Sequence, residues 1–229
     1  MTLSDQLMQK ILDDDYDSVK NLILGGADVN FPDKEGISPL MKSVLAGNRK
    51  TLLLLLSEGA NPNYMNYILG ASALVIAVKT NKHDLMELLL KYGADVRQSD
   101  NNGVSPIWHA AFQGDLESVS LLVEYGCPID LRDKSLRTPL ILASYRGFLP
   151  VAAFLVSSGA DINEKDNISG TPLSWACFGG HPQMVRYFLA LGADTGVKNI
   201  EGKSILALAR ERENNEEVIR ILLEAGITA

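Results

Sequence analysis

One segment of this chain keeps returning. Gly26-Ala27-Asp28-Val29-Asn30 recurs as Gly59-Ala60-Asn61-Pro62-Asn63, Gly93-Ala94-Asp95-Val96-Arg97, Gly126-Cys127-Pro128-Ile129-Asp130, Gly159-Ala160-Asp161-Ile162-Asn163 and Gly192-Ala193-Asp194, with Gly226 closing the series. Successive glycines lie 33, 34, 33, 33, 33 and 34 residues apart. A second series keeps step with the first: Ser38-Pro39-Leu40, Ser72-Ala73-Leu74, Ser105-Pro106-Ile107, Thr138-Pro139-Leu140, Thr171-Pro172-Leu173 and Ser204-Ile205-Leu206. A fixed period of this length restricts the fold to stacked supersecondary units, because one unit cannot bury its own apolar face and must lend it to its neighbours.

Each unit reads as two helices and a turn. Ser or Thr supplies an N-cap oxygen, and Pro at the first helical position forgoes an N–H that would have no partner anyway. Gly47, Gly114, Gly147 and Gly180 end the first helix, as a left-handed C-terminal cap prefers. A second amphipathic helix follows, such as Val119-Leu121-Leu122 or Val151-Phe154-Leu155, and ends at the next glycine of the main series. Turn-rich stretches such as Asp33-Lys34-Glu35-Gly36 and Asp100-Asn101-Asn102-Gly103 then suit a hairpin projecting sideways. The two 34-residue spacings place one-residue insertions between Asn63 and Gly70 and within Arg210 to Glu217.

This pattern resembles the ankyrin repeat, and the resemblance covers essentially the whole chain. It implies an all-α solenoid of stacked helix-turn-helix units with projecting hairpin loops. Residues 1–229 read as one domain: an N-terminal capping helix pair at 1–30, central repeats over 31–203 and a C-terminal capping repeat at 204–229. Polar runs at the ends, Asp13-Asp14-Asp15-Tyr16-Asp17 and Arg210-Glu211-Arg212-Glu213, suit caps. Two departures affect the hairpins. The glycine usual two residues before the Thr-Pro-Leu entry is Leu136 in one unit and Ser169 in the next, which predicts less regular turns there.

The chain offers little for catalysis. Its histidines are His83, His109 and His181, and none has a metal-ligand spacing; His181 suits helix entry. Cys127 and Cys177 occupy alanine columns, which predicts small packing residues, and two cysteines do not make a disulfide framework. No phosphate-cradling glycine motif is present. No catalytic residue, metal or cofactor is therefore expected. The net charge of −7 argues against a nucleic-acid binder, and no apolar run approaches the ~20 residues of a membrane helix. The N-terminus lacks a basic start followed by an apolar stretch, so it does not read as a signal peptide. These readings favour a cytoplasmic monomer, with the nucleus or secretion as an effector left open.

The resemblance implies a protein-protein interaction scaffold (adaptor, inhibitor or assembly factor) that binds its partner on the concave inner-helix and hairpin surface. Register then picks two inner-helix positions per unit, three residues apart and so on one face: Lys42/Leu45, Ile76/Lys79, His109/Phe112, Leu142/Tyr145, Trp175/Phe178 and Leu208/Glu211. Phe112, Tyr145 and Phe178 form one aromatic column, with His109 and Trp175 beside it. Arg132, Lys134 and Arg137 on the hairpin and Arg146 next to Tyr145 add a basic edge, suited to a partner with apolar and acidic residues. The plainer alternative is that the rings only pack against the next inner helix. A different class of function, sensing a small anionic ligand such as a phosphorylated nucleotide, could use Trp175, Tyr145, Arg146 and Lys134. Asn30 and Asn163 match the context of asparagine-hydroxylation substrates in this family, though the plainer and favoured reading is that they satisfy hairpin backbone.

Overall fold

A computed structural model of the chain describes residues 2–66, 68, 70–213 and 215–228. Residues 1 and 229, the outermost of the expected domain, and residues 67, 69 and 214, within the two insertions, lie outside the described set. Two compact units emerge: Met1–Pro106 with Glu124–Gly126, and Ile107–Val123 with Cys127–Ala229. The first contains α1 (Leu3–Leu12), α2 (Tyr16–Leu24), α3 (Pro39–Ala46), α4 (Arg49–Ser57), α5 (Ala73–Lys79) and α6 (His83–Lys91). The second is built from α7 (Pro106–Gln113) and α8 (Leu116–Glu124), apart from their end residues Pro106 and Glu124, and from α9 (Pro139–Arg146), α10 (Leu149–Ser157), α11 (Pro172–Gly179), α12 (Pro182–Ala190), α13 (Ile205–Arg210) and α14 (Glu216–Glu224). The only β pairing among the described residues is a single antiparallel bridge, Lys198 to Ser204.

The entry signals act as their chemistry requires. The hydroxyls of Ser38, Ser72, Thr138, Thr171 and Ser204 accept from the backbone N–H three residues on, at 3.2 to 3.4 Å. Each fills one of the orphan donors of a helix start. At the other end Gly47, Gly147 and Gly180 take φ of 82°, 79° and 71°. Asn81 holds the same left-handed place after α5, with φ 52°.

Packing follows the order of the repeats. In the first unit α1 packs on α3 and α3 on α5, while α2 packs on α4 and α4 on α6. In the second α9 packs on α11 and α11 on α13, with α12 against α14. Inner-helix leucines form the core: Leu40, Leu74, Leu140, Leu173 and Leu206 are all buried. Cys127 and Cys177 are buried free thiols, and burial pushes the Cys177 thiol up to about 12. Both therefore act as small packing residues.

In four of the repeats the residue before the second helix reaches back to the preceding inner helix. Asn48 Nδ2 donates to the Ile11 carbonyl at 2.8 Å. Lys82 Nζ donates to the Val44 and Leu45 carbonyls at 2.8 and 2.9 Å. His181 Nε2 lies 2.8 Å from the Tyr145 carbonyl, and Asn215 Nδ2 donates to the Cys177 and Ala209 carbonyls at 3.0 and 2.7 Å. A carbonyl only accepts, so Nε2 carries the proton of neutral His181. His181 stands at the N-cap of α12 but makes no side-chain cap bond to its own helix. His181 thus stands at helix entry, as expected from its position after Gly180, with its carbonyl accepting from Val185 N–H at 3.0 Å while its side chain caps the previous repeat.

The hairpins share a carboxylate or amide hub. Oδ1 of Asp33, Asp100, Asp133, Asp166 and Asn199 accepts the N–H groups two and four residues on, at 2.7 to 3.0 Å. Leu136 and Ser169 occupy the usual glycine place and still take φ of 59°. Their N–H groups reach the Asp133 and Asp166 carbonyls at 2.9 and 3.0 Å. The expected irregularity is therefore absent: the hub holds the turn, and the two L-residues bear the strain of the left-handed region.

Candidate functional site

The second unit carries the clustered aromatic rings of the inner helices. Trp108 and Phe112, on α7, stack with centroids 5.1 Å apart, and His109 meets Trp108 edge-on at 5.4 Å. On the next two inner helices Tyr145, Trp175 and Phe178 form a triad. Tyr145 and Phe178 are stacked at 6.3 Å, and Trp175 stands edge-on to both at 5.4 and 5.7 Å. Tyr145 is 37% exposed; His109, Phe112, Trp175 and Phe178 are half-buried. The column thus packs internally and keeps part of its surface open. Leu142 and Ile76, expected on the same exposed face, are buried instead, whereas the longer or larger side chains of Lys42, His109 and Trp175 at that register are only half-buried.

Hairpin hubs fix the two tryptophans. Asp133 Oδ2 accepts from Trp108 Nε1 at 3.0 Å and from Arg137 Nε at 2.8 Å. Asp166 Oδ2 accepts from Trp175 Nε1 at 2.8 Å. Burial opposes charge on Asp133, but its bonds to Arg137 outweigh that and hold the carboxyl below the ordinary carboxylate range. Neither aspartate was singled out from sequence. The signal was there, as Asp or Asn at 33, 66, 100, 133, 166 and 199.

The arginines of the basic edge are already engaged within the unit. Arg137 is committed to Asp133, with its second nitrogen at 2.7 Å, and lies over Trp108 at 5.6 Å. Arg132 pairs with Glu164 at 2.9 Å, while Lys134 is exposed on the same hairpin. Arg146 lies over Phe112 at 4.7 Å and Phe148 at 5.7 Å. A cleft of about 300 Å³ opens between Arg137, Ile141, Leu142, Tyr145, Trp175 and Phe178. On the other side of Trp175 and Phe178 a smaller cleft of about 190 Å³ is bordered by Leu208, Glu201, Lys203 and Glu211. Lys203 bridges both glutamates, which hold its ammonium above the ordinary lysine range.

Asn30 and Asn163 are exposed and already bonded. Asn30 Nδ2 donates to the Gly59 carbonyl at 3.1 Å, and its Oδ1 accepts from the Asn61 N–H at 2.7 Å. Asn163 Oδ1 accepts from the Asp194 N–H at 2.8 Å. Among the described residues no group of three or more His, Cys, Asp or Glu could hold a metal ion, and no helix is long and apolar enough to cross a membrane.

A helical repeat array whose units cap one another and whose hairpins turn on one hub defines a class of binding module. The family model for ankyrin repeats matches in three copies, over residues 7–100, 74–166 and 163–229, and the chain belongs to the ankyrin-repeat family. The fold is all-α and superposes on the ankyrin repeat domain of Bcl-3, described as a unique member of the IkappaB protein family, with a TM-score of 0.83. That match covers 95% of this chain and 97% of the other at 26% identity. Among curated relatives, the B-cell lymphoma 3 protein homolog of Mus musculus is 33% identical over 42% of this chain and 21% of its own. Protein PhlB of Serratia liquefaciens is 36% identical over 46% of each. The putative ankyrin repeat protein FPV031 of Fowlpox virus is 31% identical over 41% of this chain and 28% of its own. The chain thus matches less than half the length of each of these relatives. Ankyrin repeats are protein-protein interaction modules.

Proposed function

We propose that this chain is a non-catalytic scaffold, acting as adaptor, inhibitor or assembly factor, that holds another protein on the inner-helix and hairpin surface of its second unit. The observation that carries the reading is the cleft framed by Tyr145, Trp175 and Phe178. Aromatic side chains and arginine supply most interface anchors, because they bury large area at low entropic cost. Hubs at Asp133 and Asp166 hold Trp108 and Trp175 in place before any partner arrives, which lowers the ordering cost of association. His109, Phe112, Lys134, Arg137 and Arg146 form the margin of the same surface, suited to an apolar segment flanked by acidic residues. The reading treats residues 1–229 as one ankyrin-repeat domain acting as a monomer in the cytoplasm, and it includes Asn30 and Asn163 as hydroxylation sites, detectable as a gain of about 16 daltons in intact mass.

The test is capture of partners from the lysate of the native host. Immobilised parent protein is compared with a Tyr145→Ala/Trp175→Ala/Phe178→Ala variant whose helicity and melting are checked. Each truncated anchor is expected to weaken binding by about 2 kcal/mol, roughly thirtyfold, so the parent retains proteins that the variant loses. Equal retention by both would overturn the assignment of this surface.

A further inference from the structure

The ring pairs of α7 and α11 differ in what lies over them. On α7 both rings are covered by arginines of this chain. Arg137 lies over Trp108 at 5.6 Å and Arg146 over Phe112 at 4.7 Å. Arg137 is also bonded to a carboxylate beside the indole, because Asp133 Oδ2 accepts from Trp108 Nε1 and from two Arg137 nitrogens. Ring, guanidinium and carboxylate thus form a closed set. Among the described residues Arg137 and Arg146 are the cations that lie over aromatic rings, so the Trp175 and Phe178 pair of α11 has none.

The carboxylates are nevertheless in place there. Trp175, Phe178 and Leu208 line the cleft of about 190 Å³ together with Glu201 from the last hairpin and Glu211 from the end of α13. Lys203 joins the two glutamates and takes one oxygen of each. Two carboxylates face one ammonium, so negative charge is left over at the cleft. Behind Gly170 the buried Asp166 adds another carboxylate, and its Oδ2 is bonded to the neutral Trp175 indole. On the other side of the same rings the charge is balanced, because Arg137, which lines that cleft, is bonded to Asp133. Sites for whole small molecules run to about 300–1,000 Å³, so the smaller cleft suits a single side chain.

We propose that this cleft receives an arginine side chain of the partner protein, its guanidinium against Trp175 and Phe178 and bonded to Glu201 and Glu211. The partner's arginine completes on α11 the set that Arg137 completes on α7. A guanidinium is favoured over an ammonium because it is planar and weakly hydrated, so it stacks on a ring while its N–H groups reach carboxylates. An ammonium is already present as Lys203, which bonds both glutamates yet covers neither ring. The inference rests on the reading that this surface holds a protein. It adds a basic residue on the α13 side to the acidic ones expected along the margin of Lys134, Arg137 and Arg146.

The two indole N–H signals are the reporters, assigned with Trp108→Phe. The full chain is titrated by NMR at constant ionic strength with blocked arginine, with blocked citrulline, its uncharged analogue, or with blocked lysine. Arginine is expected to shift the Trp175 signal saturably and to leave that of Trp108, already under Arg137, unmoved. Citrulline is expected to bind about tenfold more weakly and lysine about threefold. Glu201→Gln/Glu211→Gln, at two exposed positions, is expected to weaken arginine binding about tenfold. Lys203→Gln removes the competing ammonium and is expected to tighten it about threefold. Equal shifts of both indoles, citrulline bound as tightly as arginine, unchanged affinity in the double variant, or weaker binding in Lys203→Gln each overturns the proposal. Capture lost in the Tyr145/Trp175/Phe178 variant without an arginine shift would remove this inference and leave the interaction surface standing. An arginine shift with capture unaffected would keep the cleft as an arginine site and remove the surface assignment.

Discussion

At the scale of single residues, the most informative positions break their own column. Asn30 and Asn63 each donate to a carbonyl of the next repeat and accept an N–H from it. Asp130 stands in the same column, but as a carboxylate it cannot donate, and its Oδ1 is buried without a hydrogen-bond partner. Burial raises its pKa, and Glu164 and Asp161 raise it further against Arg132. Asp130→Asn should restore both bonds and stabilise the fold near pH 7 by about 0.5–1.5 kcal/mol. The sign with pH follows from the raised folded pKa. Ionisation of Asp130 costs stability as pH rises through that value, whereas below the unfolded value the group is protonated in both states. The advantage of the variant should therefore shrink as pH falls toward 4, which denaturant midpoints measured across pH would test. Leu136 is a second such position, with φ of 59° and a side chain 44% exposed. Leu136→Gly should relieve left-handed strain at little loss of packing and raise stability by about 0.5–1 kcal/mol. A lowered melting temperature would contradict this.

At the scale of elements, the helices and their ends were legible because they depend on residue types that the period repeats: Ser or Thr before Pro, Gly after the helix. The bonds that tie one unit to the next were not. The positions that reach back hold Asn48, Lys82, Phe148, His181 and Asn215, so no shared letter marks them. All but Asn48 share a glycine opposite, whose missing side chain gives them room. The Phe148 ring comes within 2.6 Å of the point where a Gly114 Cβ would lie, and Gly114 has φ of 77°. Gly114→Ala should then cost about 1 kcal/mol for the left-handed backbone and more for displacing the ring, at least about 2 kcal/mol together. Gly192→Ala serves as the control. Its φ is 74° but nothing lies within 4 Å of the added carbon, so it should show the backbone cost alone. Equal destabilisation by both would remove the account of the close approach. The hairpin hubs were legible only in part: the Asp and Asn column is plain, but that Asp133 and Asp166 aim a second oxygen at a tryptophan depends on side-chain direction, which spacing does not carry.

At the scale of the whole molecule, the period announced the repeats and their order, but not the division into units at Pro106 and Ile107. The 33-residue spacing runs through that point unchanged, so no residue marks it. Stability in a repeat array is a sum of terms for each repeat and each interface with its neighbours. The position of a core substitution then matters as much as its chemistry. Leu173 and Leu222 are both fully buried leucines. Leu173 lies in α11, which packs against α9, α12 and α13, whereas Leu222 lies in α14, which packs against α12 and α13. Leu173→Ala leaves a cavity that weakens contacts on both sides of its repeat and should cost about 2–5 kcal/mol. Leu222→Ala removes the same atoms but weakens contacts on one side, so its cost should fall toward the lower end of that range. Amide exchange separates the two further. Opening should spread through α9, α11 and α13 in the first variant and stay within α13 and α14 in the second, because sub-global unfolding follows the interfaces that remain. If both variants lost the same stability and exchanged over the same helices, the coupling would not be nearest-neighbour, and the repeat-by-repeat origin of this fold's stability would have to be given up.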